Sequence, residues 1–491
     1  MLFNSLSYLV FFVFVYIVYW QIHHQCWRLA FLLLVSFYFY ASWKPAYLLL
    51  IILTIITSYT AALAFSKYPQ RKKLILTVTL GVNLGILAVF KYLGFFSYTL
   101  NQILSWLNLN LKLPEFNLLL PVGISFYTLQ SVGYLIDVYK KKIPAEKNLF
   151  HFTLFVTFFP QLVAGPIERS HHLLPQLKKK HHYSYSESVA GLKLIALGLF
   201  KKMVVADNLA LLVNVVYDRI DLSSPAGLAC SPKGLSLIIA TYAFAWQIYG
   251  DFSGYSDIAR GSAKMLGIKL RENFHAPYFA KNVTDFWRRW HISLSNFFMD
   301  YVYIPLGGNR RGLSRHCANL MIVFLLCGLW HGASWHFVLW GFYFGIVMII
   351  ERLLKTFSKK TALTWHCPNI VQIVYTNIAV TFGWIFFRAN NLQQAFYVIR
   401  YFFTGIKNII AVDYIQATLK QLFTANYLEM TITTFCFLAI LIYENLAGNY
   451  QLDKWFSRQK PIWRYAFYIL IIAMLIMLKP SQVEPFIYFQ F

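Results

Sequence analysis

The sequence predicts an all-α integral membrane protein with about 11 to 13 transmembrane or re-entrant helices, and three observations predict it. Of the 491 residues 58% are hydrophobic and 13% charged, against an apolar share of about 45–50% in soluble domains. Apolar runs of about 20 residues, the length that crosses roughly 30 Å of hydrocarbon, recur from one end of the chain to the other. Basic clusters punctuate those runs and do not interrupt them.

The runs lie near 6–20, 28–43, 46–65, 74–93, 118–138, 149–165, 189–213, 234–250, 319–350, 369–388, 429–446 and 463–480. The first, LSYLVFFVFVYIVYW, has the apolarity of a secretory signal, but QIHHQCWR follows it with no small-residue cleavage site, so it reads as a retained span. No low-complexity tract or fixed-period repeat occurs, and the longest polar stretches, roughly 259–318 and 402–428, are too short for a separate soluble domain, which predicts a single polytopic membrane domain over 1–491. The stretch 402–428 is mixed in character and predicts a loop with a surface helix.

Formal net charge is +25, from 44 basic and 19 acidic residues. KYPQRKK (67–73), KKKIPAEK (140–147), KKKHH (178–182) and the Arg288, Arg289, Arg310, Arg311 and Arg315 loop carry much of it. By the positive-inside rule these loops face the cytoplasm. They form no continuous patch with readable motifs, which argues against nucleic acid as a partner and for the anionic bilayer surface. Six cysteines without CxxC pairs give neither a disulfide framework nor a zinc signature. The pairs His23-His24, His171-His172 and His181-His182 lack the i, i+4 spacing of a helical metal site, so no metal is predicted.

Two segments carry the chemistry. In TDFWRRWHISLSNFFMDY, with Thr284 as N-cap, Phe286, Trp287, Trp290, Leu294, Phe297, Phe298 and Tyr301 share an arc of about 120°, while Arg288, Arg289, Asn296 and Asp300 fall outside it. That pattern predicts an amphipathic helix over 284–301 lying on the inner membrane surface, with His291 at the edge of its apolar arc. Pro305, Gly307, Gly308 and Asn309 end it in a turn.

The second segment, 319–350, would span about 48 Å as one helix, too long for one untilted crossing. A break is predicted between Gly328 and Ser334, inside CGLWHGASWHFVLWG, which puts His331 at membrane depth. Irregular backbone there is tolerated where it is buried in protein or lines a cavity, and an ionisable residue there marks a proton relay, a ligand or a general base. His336 would not share a face with His331 and reads as structural. In YGDFSGYSDIARG (249–261), Asp251, Ser253, Tyr255 and Asp257 follow an apolar run; GDFS is similar to an esterase GDS box, but Phe252 interrupts it, and Ser253 is not predicted to be a nucleophile. Its carboxylates could orient a histidine or bind an alcohol. A transporter with His331 as proton relay is the competing reading, and the lack of a repeat and the few carboxylates in the spans, with Asp137 and Glu351 near their ends, weigh against it.

FFPQLVAGPIERSHHLLPQL (158–177), the stretch DFSGYSDIARG to YIPLGGNRRG (251–312), GLWHGASWHFVLWG and the terminal PFIYFQF, in this order, resemble the membrane-bound O-acyltransferases. Within them they are similar to the bacterial branch typified by the alginate O-acetyltransferase membrane subunit. The opening MLFNSLSYLVFF fits that branch too, so the resemblance covers nearly the whole chain.

The resemblance implies helices around a tunnel to a buried histidine, with His331 as the catalytic residue and His291 as the second. It implies transfer of an acyl group, acetyl in this branch, from a cytoplasmic thioester to a hydroxyl of an extracytoplasmic polysaccharide such as alginate or peptidoglycan. Acetyl-CoA would be a co-substrate and no cofactor would be bound. An extracytoplasmic esterase-like partner of the SGNH type and a location in the cell (inner) membrane are implied as well. D-alanyl transfer from a carrier-protein thioester is the alternative within the family. Arg288, Arg289, Arg310 and Arg311 beside the inner mouth are candidates for attracting the donor's phosphates.

Overall fold

A computed structural model describes all residues except 117, 164, 362–366, 424–426, 450–455, 457, 481–484 and 490–491. Among the described residues the chain is helical, without strands. Two compact units partition it. The first takes Met1–Ile195, Ser256–Glu272 and Met299–Tyr301, and the second takes Ala196–Tyr255, Asn273–Phe298 and Val302–Phe491.

The first unit is built on α1 (Leu6–Gln21), α2 (Gln25–Ala41), α3 (Leu48–Lys67), α4 (Lys72–Trp106), α5 (Ile124–Tyr139), α6 (Leu149–Thr157), α7 (Phe159–Leu162), α8 (Ser170–Lys178) and most of α9 (Tyr185–Leu199). Phe3, Tyr8, Phe11, Phe39 and Phe159 form one aromatic cluster in its core, with ring centroids 4.7–6.1 Å apart between neighbours. The apolar run expected over 74–93 continues as helix to Trp106, because nothing in GFFSYTLNQILSW stops helix propagation.

Asp137, near the end of α5, accepts a 2.8 Å hydrogen bond from the Tyr301 hydroxyl, and buried Arg169 pairs with Asp300 at 2.8 Å while its guanidinium lies 4.3 Å over the Tyr301 ring. These contacts tie residues 299–301 into this unit.

The second unit contains a seven-residue π-helix, Phe200–Ala206, then α10 (Asp207–Tyr217), α11 (Pro225–Cys230), α12 (Leu235–Met265, shared with the first unit), α13 (Val283–Arg289) and α14 (Ile292–Phe298). It continues with α15 (Leu313–His331), α16 (Trp335–Thr361), α17 (Asn369–Arg388), α18 (Leu392–Tyr401), α19 (Val412–Phe423), α20 (Tyr427–Asn449) and α21 (Pro461–Met477). The GDFSGYSDIARG stretch is interior to α12, and not the sequel to a shorter helix ending near 250. Gly254 is what permits the close approach there, since a Cβ on it would sit 2.7 Å from the Gly198 carbonyl oxygen.

Among the described residues, five helices are long and apolar enough to cross a membrane: Pro45–Lys67, Pro69–Trp106, Leu313–His331, Trp335–Ser358 and Asn369–Arg388. Leu6–Gln21, Gln25–Ala41, Met430–Leu446 and Pro461–Met477 are shorter and apolar. The chain is a multi-pass membrane protein. No disulfide joins the cysteines; Cys327 and Cys436 are buried, while Cys26, Cys230 and Cys367 are exposed.

Candidate active site

The hairpin of α15 and α16 carries His331, and its glycines set the geometry. A Cβ on Gly328 would lie 2.3 Å from the Phe337 carbonyl oxygen, one on Gly341 would lie 2.2 Å from that of Phe324, and one on Gly332 would lie 2.1 Å from the Phe337 ring. Backbones so close exclude any side chain, the small-residue packing that membrane helices use in place of a hydrophobic drive. The helix stops where Gly332 turns to extended dihedrals, φ −159° and ψ 151°, and α16 resumes at Trp335. The predicted break therefore falls at Gly332–Ser334, and His331 is the last residue of α15, about 27 Å from Leu313 along the helix axis.

His331 is buried among rings. Its imidazole lies 4.9 Å from Trp340, 5.0 Å from Trp330, 5.3 Å from Phe387 and 5.7 Å from Tyr488. His291 is also buried, 4.6 Å from Phe252, 5.8 Å from Trp330 and 6.3 Å from Tyr488. Trp330 and Tyr488 thus contact both imidazoles, which brings the two histidines named from the sequence to one place. Burial pushes the His291 imidazole down to about 3, so it is neutral over the physiological range.

The segment around His291 corrects the expectation of one surface helix over 284–301. Two short helices, α13 and α14, flank His291, whose φ of +43° is a left-handed conformation that a non-glycine residue enters only under constraint. Asn273 supplies the constraint: its carbonyl accepts from Ile292 N at 3.0 Å and its side-chain oxygen from Ser293 N at 3.3 Å. The cap of α13 is Asn282, which accepts from Asp285 N at 2.8 Å, and not Thr284. Thr284 instead donates to Glu351 of α16 at 3.0 Å, and Glu351 also accepts from Val283 N at 2.7 Å and Thr284 N at 3.1 Å. Protein covers most of the aromatic face. Trp287 packs 5.6 Å from Trp340 and 5.0 Å from Phe344, and Trp290 packs 5.0 Å from Trp384. Helical periodicity reports that a face is apolar, not whether lipid or protein covers it.

Beside the hairpin turn is a cavity of about 640 Å³, lined among others by Gly332–Ser334, His336, Phe337, Phe387, Arg388, Lys202, Asp207 and Asp251. Its charged lining forms a buried chain, in which Lys202 is ion-paired with Asp207 at 2.8 Å and with Asp251 at 2.7 Å. Arg388 bonds Asn214 and Asp218, each at 3.0 Å. His336 is engaged with the Phe386 carbonyl at 2.9 Å, in keeping with a structural role.

Of the four arginines named as donor contacts, Arg288, Arg310 and Arg311 are exposed, whereas Arg289 is ion-paired with Asp285 at 3.0 Å. Ser253 is buried. No group of three metal-ligating side chains occurs among the described residues.

Sequence reasoning passed over Tyr488. It lies in the terminal PFIYFQF, of which 490–491 are outside the described residues; that segment carries part of the resemblance, and its aromatic density outside any span is the signal that could single out the tyrosine.

Residues 12–389 match the profile of the membrane-bound O-acyltransferase family. The chain is 38% identical over 397 residues to a peptidoglycan O-acetyltransferase of Helicobacter pylori, covering 75% of this chain and 72% of that protein. It is 33% identical over 508 aligned positions to a probable alginate O-acetylase of Pseudomonas putida, covering all of both chains. A teichoic acid D-alanyltransferase of Bacillus subtilis is 29% identical over 296 residues, 56% of this chain and 70% of that one.

Proposed function

The chain belongs to the membrane-bound O-acyltransferase family, and from that premise we propose that it moves an acetyl group from a cytoplasmic thioester to a hydroxyl of an extracytoplasmic polysaccharide, with His331 as the catalytic base. The observation that carries this reading is the convergence of His331 and His291 on Trp330 and Tyr488, next to a cavity that reaches the turn after His331.

A thioester is already activated, so the task left to the protein is to deprotonate a hydroxyl held near the acyl carbon. His331 takes that proton as the oxygen attacks; the carbon–sulfur bond breaks as the tetrahedral species collapses, and the proton passes to the departing thiolate. General-base help of this kind is worth about 10²- to 10⁴-fold, and alignment adds to it. His291, neutral and fixed by a strained backbone, orients the reacting groups or stabilises the developing oxyanion.

Direction follows from charge. Arg310, Arg311 and Arg315 open the α15 hairpin arm and Arg352 and Lys355 lie toward the end of α16, so the positive-inside rule assigns those ends to the cytoplasm and the His331 turn, with its cavity, to the opposite side. Arg288, Arg310 and Arg311 then stand where an anionic donor such as acetyl-CoA would arrive, and the acceptor, or an esterase-like partner presenting it, would arrive through the cavity. The whole chain acts as one catalytic membrane domain of the cell inner membrane.

The test uses purified protein in liposomes with acetyl-CoA labelled in the acetyl group. Wild type releases label from the thioester and His331→Ala does not; a His331→Ala protein that consumes donor at the wild-type rate removes the proposal.

A further inference from the structure

We propose that Asp251, clamped by Lys202, is a positioning residue: its carboxylate anchors the C-terminal segment and so sets Tyr488 against His331 and His291. The inference rests on the reading of His331 as the reacting base.

Three buried charges of Lys202, Asp207 and Asp251, each at most 3% exposed, form the chain Asp207–Lys202–Asp251. Desolvating each ion costs several kcal/mol, which a well-packed apolar trio would avoid, so stability alone does not account for the arrangement. What it holds is more informative. Asp251 Oδ2 accepts from the backbone N–H of Ile487 at 2.7 Å, immediately before Tyr488 in the short 3-10 turn Ile487–Phe489.

One turn along α12, Tyr255 stacks on Phe486 at 4.2 Å and 22°, so the segment is gripped at Phe486 and at the Ile487 N–H. Between those grips on the helix, Phe252 lies 4.7 Å from Tyr488 and 4.6 Å from His291. Lys202 is aimed at Asp251 from the π-helix, which directs the consecutive Lys201 and Lys202 inward, Lys201 pairing with Glu444 at 4.0 Å.

A carboxylate suits this position because both of its donors need an acceptor. Asn has one acceptor oxygen, and its NH₂ can face neither the Lys202 ammonium nor the Ile487 N–H. Asp251→Asn therefore keeps the shape and releases one of the two holds, while Lys202 retains Asp207 as partner.

The experiment compares full-length wild type with Asp251→Asn, Tyr488→Ala and the double variant, by steady-state kinetics in liposomes and by amide hydrogen exchange of the C-terminal peptide. Asp251→Asn is expected to raise exchange at Ile487 and Tyr488 at least tenfold, to leave the donor KM within about twofold and to lower kcat about 10- to 100-fold, as a misplaced group near the chemistry does. In the Tyr488→Ala background it is expected to add no further loss, because the two changes act through one element. An unaltered kcat, unaltered exchange, or losses that multiply in the double variant would overturn the proposal. Should Asp251→Asn fail to fold, Tyr255→Leu removes the Phe486 stack without touching a charge and must give the same pattern. Hydrogen exchange reports the anchor independently of chemistry, so active His331→Ala with a loosened tail in Asp251→Asn would sink the assignment of the base and not the anchor.

Discussion

The ring of Tyr488, from the C-terminal segment, lies 5.7 Å from the ring of His331 and meets it at 42°. The same tyrosine is 6.3 Å from His291 and 6.1 Å from Trp330. A phenol carries a large apolar ring and one polar handle, and here the ring closes the wall between two imidazoles while the hydroxyl is placed inside a buried, largely aromatic site. Tyr488→Phe keeps the wall and removes the handle. We expect it to fold with wild-type thermal stability within about 1 kcal/mol and to lose at least about tenfold in kcat, the scale of one polar group placed at a reacting centre. Thermal denaturation in detergent alongside donor turnover checks it, and full activity would assign Tyr488 to packing alone.

The two histidines should not be equivalent. His331 ends a transmembrane helix beside the cavity, whereas His291 is enclosed by Phe252, Trp330 and Tyr488. If His331 moves the proton, His331→Gln loses about 10²- to 10⁴-fold in kcat with little change in donor KM. His291→Gln loses less, and part of its loss falls on KM if the residue orients substrate. Equal kcat losses with unchanged KM in both variants would instead mean that the imidazoles act as one unit.

Much of this site was legible in the sequence and some of it was not, for physical reasons. His331 and the break after it stand out because a broken helix with an ionisable ring is costly in hydrocarbon, so its presence demands a use. His291 came from its place on an apolar arc and from resemblance, but its left-handed backbone did not, because Asn273 enforces it from outside the helix pattern. Asp251 was noticed as a carboxylate that could orient a histidine; what it holds is the backbone before Tyr488, a pairing between distant segments that no local periodicity encodes. Lys202 was hidden inside an apolar run, since its partners come from α10 and α12 and the run itself gives no sign of the π-helix that turns it inward.

The glycine contacts of the α15–α16 hairpin give a prediction about assembly of the site. Gly328→Ala would place a methyl 2.3 Å from the Phe337 carbonyl oxygen, a backbone atom that cannot rotate away. The helices must separate, and overpacking of this kind costs about 1–3 kcal/mol. The variant should melt several degrees lower and lose activity, because Phe337 and His331 move apart with the hairpin. Gly85→Ala, inside α4 where nothing lies within 4 Å of the added methyl, is the control and should keep wild-type activity and melt no lower than wild type.

Acid should weaken the fold through His291. Its imidazole is held down to about 3 by burial, below the 6.5 of an unconstrained histidine, so between those values the unfolded chain binds a proton that the folded chain refuses. Stability from this residue is therefore intact above about pH 6.5 and falls as pH drops toward 3. The test is the difference in melting temperature between wild type and His291→Gln, measured in detergent from pH 7 to pH 4.5. Glutamine does not titrate, so the wild-type curve should fall more steeply than that of the variant, by up to about 1.4 kcal/mol per pH unit. Parallel curves would mean that the imidazole is hydrated or already protonated in the fold, and would remove the argument that His291 serves as a neutral group during transfer.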